Sequence, residues 1–354
     1  MNRRKFFGTA ASVIAATSVG TGFSGATVPA FAQAGGARRT VMVGGQRVKT
    51  VDVHAHTAIP GTMELVGETT PTFNGLLVIT PDRIGVMDEL GIDVEVLSIN
   101  PFWYGLDYDA ARRVIEHQNE GLAEICAANP ERFVALASVA LQHPELAAEQ
   151  LESGIKTFGL RGVAIGGSVA AEEFASPRFD TFWAKVEVLG VPMFIHPQGV
   201  PGLSRLQGSG FLTNVIGNPL DTTIALSHLI FEGVLDRFAG LKIIAAHGGG
   251  YLASYADRSD YGCQTFPSRC DQTLQQRPTD YLKQMYFDSL VFSGEALRYL
   301  VERYGANHVV IGSDYPYPWV SRPVDHVLET PGLSDSDRIA ILGGNAMELF
   351  GIPA

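Results

Sequence analysis

The run Val51-Asp52-Val53-His54-Ala55-His56 brings two histidines, one residue apart, to the end of a short apolar stretch. In an extended strand, side chains at i and i+2 share a face, so His54 and His56 would offer two nitrogens side by side to one metal ion. Taken alone the pair is a modest signal, because a surface His-X-His arises by chance. Three further apolar runs end in residues of the same kind: Phe194-Ile195-His196-Pro197, Ile243-Ile244-Ala245-Ala246-His247-Gly248-Gly249-Gly250, and Val309-Val310-Ile311-Gly312-Ser313-Asp314. Two or three histidines with one carboxylate suit a borderline divalent ion such as Zn²⁺, with Mn²⁺ also accepted by such donors, and leave a position open for water or substrate. The expected ligands are His54, His56, His196 and Asp314. His247 stands apart, because its glycine tail lets the backbone approach a ligand closely and leaves the ring room to face a substrate as acid or base.

Each residue has a bland reading. A lone histidine at a strand end is more often a satisfied core or rim residue, and Asp314 before Tyr315-Pro316 suits a turn. Their company is what favours a metal site. Asp52, expected to share strand parity with the two histidines, and Asp288, at the end of another run, would orient ligands from behind. His117, His143, His228, His308 and His326 lack such company and read as structural or exposed.

Residues of this kind need strand ends to hold them, and the chain supplies eight. Strands are predicted over 49–56, 94–100, 133–141, 160–165, 191–196, 241–247, 285–289 and 308–313, with helices over 81–90, 108–128, 144–157, 177–189, 220–231 and 294–304. The strands are short, rich in Val, Ile, Ala and Phe, and separated by helices, which indicates a parallel sheet buried on both faces. Eight such units favour an α/β architecture closed as a (β/α)₈ TIM-like barrel over an open sheet, and no Gly-X-Gly-X-X-Gly turn supports a dinucleotide fold. All the singled-out residues fall at the C-terminal ends of strands, where such barrels carry their active groups. A hairpin-like lead-in is expected over 40–48 and a long loop folded over the site after residue 56.

These motifs, with Asp288-Ser289, Tyr315-Pro316-Tyr317-Pro318 and Gly344-Asn345-Ala346, resemble the amidohydrolase superfamily of metal-dependent hydrolases, in the branch typified by aminocarboxymuconate-semialdehyde decarboxylase. The resemblance covers nearly the whole chain after the leader. It implies the barrel, one divalent metal on His54, His56, His196 and Asp314, and His247 as the residue that positions the water on the metal and handles the proton. It also implies that Arg258 reaches a substrate carboxylate across a dimer interface. Two departures stand out: residues 57–81 lack an arginine that the family's dicarboxylate decarboxylases carry there, and Gln198-Gly199 replaces an aromatic and an acid after His196-Pro197. By resemblance the expected reaction is decarboxylation of an aromatic or unsaturated carboxylic acid. The alternative is hydrolysis of a lactone, ester or C–C bond, in which Asp314 and His247 would shuttle protons; a metal-binding scaffold without activity is a third reading. Phe102, Trp103 and Tyr104 would wall an aromatic substrate or form an exposed cluster at a subunit contact. A homodimer is expected, or a tetramer.

At 354 residues, 46% apolar and 18% charged, the chain can bury a large core, and its net charge of −11 makes nucleic acid an improbable partner. Residues 1–34 read as a twin-arginine leader, with Arg3-Arg4-Lys5 and an Ala32-Gln33-Ala34 cleavage site; loss of those three cations would leave −14. Export to the periplasm or beyond follows from that reading, then a linker over 35–48 and one barrel domain over 49–354, with no stable membrane span. Cys263 and Cys270 lie in a loop-like stretch, as a bridge or as two free thiols, and Cys126 reads as a small core residue.

Overall fold

The computed structural model describes residues 38–67, 77–200, 202–208, 211–270, 273–317, 319 and 322–354. The leader and its cleavage site lie outside them, as do residues 68–76 of the expected site loop.

Ten strands form among the described residues: β1 (Met42–Val43), β2 (Gln46–Arg47), β3 (Val51–His56), β4 (Val94–Ser98), β5 (Phe133–Ala135), β6 (Val163–Ile165), β7 (Pro192–Ile195), β8 (Lys242–Ala245), β9 (Tyr286–Asp288) and β10 (Val309–Val310). The first two make the expected antiparallel hairpin. The other eight run parallel in two ladders, β3-β4-β5 and β6-β7-β8-β9-β10. Bridges from Ala137 to Val163 and from Asp52 to Ile311 join the ladders at both seams. The barrel is therefore closed, and its backbone groups find partners all the way round.

Two apolar clusters mark its two sides. Val51, Val53, Val94, Val96, Phe194, Ile244 and Val310 pack with Phe350 of the C-terminal helix Asn345–Phe350, filling the barrel interior. Alternate strand residues such as Leu97, Met193, Ile243 and Phe287 pack outward among the helices. The helix Pro81–Leu90 starts at a proline and stops at Gly91 in the left-handed region; Tyr108–Ala128 is capped by Asp107, whose side chain accepts the N–H of Ala110.

Three expectations need correction. The third strand ends at Ala135, because the N–H groups of Ser138 and Ala140 go to the side chains of Asn119 and Gln150 on the neighbouring helices. Cys263 lies on the helix Asp257–Thr265 rather than in a loop, and of the two alternatives for this pair the bridge is the one formed, Cys263 bonded to Cys270 across Cα atoms 5.6 Å apart. Asp52 does not share a face with His54 and His56. The ladder between β3 and β4 shifts register between Asp52 and Ala55, so Val51 and Val53 point inward before the shift, while Ala55 points outward after it. No helix among the described residues is long and apolar enough to cross a membrane.

Candidate metal centre

The register shift turns both His54 and His56 into the barrel, where His196, just past β7, and Asp314, beyond β10, meet them. One ligand atom from each of the four lies within 4.8 Å of all the others. All four side chains are buried. Nε2 of His54 and Nε2 of His56 face each other at 3.1 Å, and Asp314 Oδ1 lies 3.2 Å from the first and 2.8 Å from the second. Neighbours turn these nitrogens inward. Asp288 Oδ2 accepts His54 Nδ1–H at 2.6 Å. The Ser98 hydroxyl donates to the Ala55 carbonyl, which leaves its oxygen to accept His56 Nδ1–H at 3.3 Å. Both imidazoles thus present an Nε2 lone pair to the same point.

His196 supplies the test of whether a cation fits. Both its ring nitrogens are buried with no hydrogen-bond partner among the described residues, a state that costs about 1–3 kcal/mol per group unless something binds there. Three imidazoles and a carboxylate, converging and buried, are the donors a borderline divalent ion takes. The electrostatics agree. Burial lowers His56, and burial with three neighbouring imidazoles holds His196 well below the ordinary histidine range. Burial alone would lower His54, yet the carboxylates of Asp314 and Asp288 push it up to about 10. Burial would raise Asp314, but the surrounding imidazoles hold it well below the carboxylate range. The pocket concentrates negative potential that a cation would neutralise.

Asp314 reaches this point through the backbone. Its N–H donates to the His54 carbonyl at 2.8 Å, the His56 N–H donates to the Tyr315 carbonyl at 2.7 Å, and Asp314 itself is left-handed at φ 62°. Gly312 makes the approach feasible: a Cβ there would sit 2.9 Å from Asp288 Cβ and 3.0 Å from His54 Cβ. Asp52, on the outer face, accepts the N–H groups of His54 and Ser313 at 3.1 Å each and pairs with the Ser313 hydroxyl. It ties together the two segments that carry ligands.

His247 stays outside the four. Its Nε2 is 3.9 Å from Asp314 Oδ2, its ring lies 5.1 Å from that of His54 and 5.4 Å from that of His196, and its Nδ1 has no partner among the described residues. Its side chain is 13% exposed, more open than any of the four. The residue is left-handed at φ 55°, held by its N–H on Asp288 Oδ2 at 2.9 Å. The glycines behind it approach protein rather than a ligand: a Cβ on Gly250 would be 2.2 Å from the Pro219 carbonyl oxygen.

The remaining expected residues are more scattered. Trp103 is fully buried in the outer core with its indole N–H on the Val139 carbonyl, so it presents no surface to a substrate or a subunit; Phe102 beside it is half-buried. Arg258 is exposed on the helix Asp257–Thr265 between Tyr255 and Tyr261, with no ion-pair partner among the described residues. His117, His228 and His308 bond elsewhere, to the Pro60 carbonyl, Glu232 and the Met285 carbonyl.

Sequence reasoning missed three residues at the site. Ser98 ends β4 and orients His56. Tyr317 lies edge-on to His56 at 5.5 Å, its phenol pushed up to about 12 by burial. Arg83, two residues beyond the loop found to lack an arginine, is buried with Nε on Glu95 at 2.7 Å, one terminal nitrogen on the His56 carbonyl at 2.7 Å, and its guanidinium over the Tyr315 ring. The signal for Ser98 was its place at a strand end; Arg83 had none until the helix was packed.

Fold and site together define a (β/α)₈ barrel with a divalent-metal site of three histidines and an aspartate at the C-terminal ends of its strands. Residues 51–352 match the amidohydrolase family model, and the chain belongs to that family. It is 32% identical over 276 residues to the 2-amino-3-carboxymuconate-6-semialdehyde decarboxylase of Dictyostelium discoideum, covering 77% of each chain. Among solved structures it superposes on the 5-carboxyvanillate decarboxylase of Sphingomonas paucimobilis with a TM-score of 0.80 at 25% identity, covering 86% of this chain and all of that one. A dihydroxybenzoic acid decarboxylase of Polaromonas sp. JS666, solved with bound manganese and the inhibitor 2-nitroresorcinol, matches at TM-score 0.75 and 26% identity, over 86% of this chain and 97% of that one.

Proposed function

We infer that the protein is a metal-dependent carboxy-lyase that removes CO₂ from an aromatic or unsaturated carboxylic acid. One observation carries the reading: His54, His56, His196 and Asp314 converge as a ligand set, while His247 stands just outside it, its Nε2 3.9 Å from Asp314 Oδ2 and its Nδ1 without a partner among the described residues. Decarboxylation needs those two things, a cationic anchor for the acid and a proton for the carbon left behind. A divalent ion held by the four side chains would supply the positive charge that stabilises the electron pair left on the carbon as CO₂ departs. His247 would deliver the proton from its ring to that carbon, with Asp314 Oδ2 3.9 Å from Nε2. Asp288 fixes both the tautomer of His54 and the backbone of His247, so ligand and acid keep their spacing.

The ion we assign is Zn²⁺, with Mn²⁺ as the competitor that the same donors accept and that the similar Polaromonas enzyme holds. We further propose that the enzyme is exported by its twin-arginine leader to the periplasm or beyond, that the mature chain is a single barrel domain, and that it works as a homodimer. Arg258, exposed between two exposed tyrosines and without an ion-pair partner among the described residues, supports a role across that dimer, reaching the substrate carboxylate of the partner's site.

The test is metal content of the purified protein, followed in the same sample by mass spectrometry of aromatic carboxylates and lactones after incubation. Stoichiometric metal with products lighter by CO₂ is the expected result. Products heavier by one water would instead make it a hydrolase, and a metal-free protein with undiminished turnover would overturn the assignment of the centre.

A further inference from the structure

Gln198 occupies an unusual position two residues beyond His196. Chain geometry keeps Cα atoms two residues apart within about 7 Å, so its backbone belongs to the rim of the metal centre. Its side chain is exposed, and its carboxamide has no hydrogen-bond partner among the described residues. Freedom of that kind normally means a mobile surface glutamine, but the backbone beneath it is clamped. Asp221, 3% exposed on the helix Asn218–Phe231, accepts the N–H of Gln198 at 2.8 Å. The carboxylate is wedged against the loop after β6, where a Cβ on Gly167 would lie 2.4 Å from Asp221 Oδ2. The amide end of Gln198 lies over Gly166: a Cβ there would be 3.1 Å from Gln198 Cδ and 3.2 Å from the Tyr104 ring. Tyr104 is itself buried, and its hydroxyl accepts the Gly166 N–H at 3.1 Å.

A carboxamide with no hydrogen-bond partner among the described residues, seated over Gly166 and two residues beyond the ligand His196, is built to bond something polar that is not protein. We propose that Gln198 is a specificity-determining residue that hydrogen-bonds an oxygen substituent on the ring of the acid bound at the metal centre, and that Asp221 is the positioning residue that holds it there. The inference rests on the carboxy-lyase reading, since that reading supplies the acid. The group recognised is a hydroxyl, to which an amide can both donate and accept, rather than a second carboxylate, for which a cation would be the fitting partner.

The experiment uses the metal-loaded full-length protein and its Gln198→Leu and Asp221→Asn variants, with benzoate, 2-hydroxybenzoate and 2,6-dihydroxybenzoate as probes. Binding is followed by calorimetry and turnover by CO₂ release. Loss of one such hydrogen bond changes affinity or kcat/KM roughly three- to tenfold. Gln198→Leu should lose that factor on a hydroxylated acid and keep its values for benzoate, with metal content unchanged. Asp221→Asn should narrow the same hydroxylated-to-plain ratio, and the double variant should lose no more than the worse single one. A merely structural Asp221 would weaken all three ligands equally and leave the ratio intact. If wild-type protein handles these acids and Gln198→Leu keeps its ratio, the proposal falls alone; if no acid binds or turns over in wild-type protein, it falls together with the carboxy-lyase reading.

Discussion

His54 Nδ1 and Asp288 Oδ2 lie 2.6 Å apart with both side chains fully buried, and the same carboxylate oxygen takes the backbone N–H of His247. One carboxylate thus sets the tautomer of an expected ligand and the place of the expected acid. Burial would raise Asp288, yet its bond to His54 and its other donors hold it low and ionised. Asp288→Asn turns one of its two oxygens into a donor among groups that all donate. Metal affinity should fall about 10- to 100-fold, read by competition with a chelator, because outer partners of metal ligands have effects of that size. Unchanged affinity would show that His54 keeps its tautomer without help.

His247→Ala removes the ring and leaves the ligand set whole. We expect kcat to fall by about 10²–10⁴ with stoichiometric metal retained, the range for loss of a positioned acid. Loss of metal alongside activity would move His247 into the ligand set.

Arg83 and Glu95 form a fully buried ion pair behind β3, with the arginine also bonded to the His56 carbonyl. Arg83→Met leaves the Glu95 carboxylate stranded beside Asp52 and should cost about 3–5 kcal/mol in urea unfolding. The double variant Arg83→Met, Glu95→Leu should recover much of that loss, because no charge is left unpaired. Additive losses would mean that the pair is not coupled.

Asp221 gives a pH prediction with a definite sign. Burial pushes its carboxyl up to about 7, even though the N–H groups of Gln198 and Gly199 pull it down. The folded protein therefore holds this proton more tightly than the unfolded chain, where a carboxyl titrates near about 4. The stability it contributes is complete below about pH 4 and is lost as pH rises through about 7. Relative to wild type, Asp221→Asn should gain melting temperature across that window, and a gap that stays constant from pH 4 to 8 would contradict the raised value.

Arg258→Ala tests the proposed reach across a dimer. KM should rise with metal content and melting temperature unchanged, since the side chain is exposed and has no ion-pair partner among the described residues. Mixing Arg258→Ala with His247→Ala protein should then restore part of the activity, as one site of a mixed dimer would carry both residues. Kinetics identical to wild type would remove the arginine from the substrate's surroundings.

The chain itself determined which residues could do chemistry and in what order they appear. His54, His56, His196, His247 and Asp314 each close a short apolar run, and strand ends are visible in sequence because a run buried on both faces must stop where the chain meets polar surroundings. Helix limits such as 108–128 were legible for a similar local reason, in capping residues and periodicity. Only tertiary structure decided how those residues meet. The parity of β3 depends on a register shift against β4, which no alternation rule foresees, and it sends Asp52 to the opposite side from the histidines. The third strand ended early because Asn119 and Gln150, distant in sequence or on another element, took its N–H groups. Trp103 went to the core because its N–H found the Val139 carbonyl. Arg83, Ser98 and Asp221 acquire their roles from partners 12 to 42 positions away. Local signals follow from what one segment must bury, whereas pairing across the barrel depends on which buried groups find each other, and that is settled only when the ring closes.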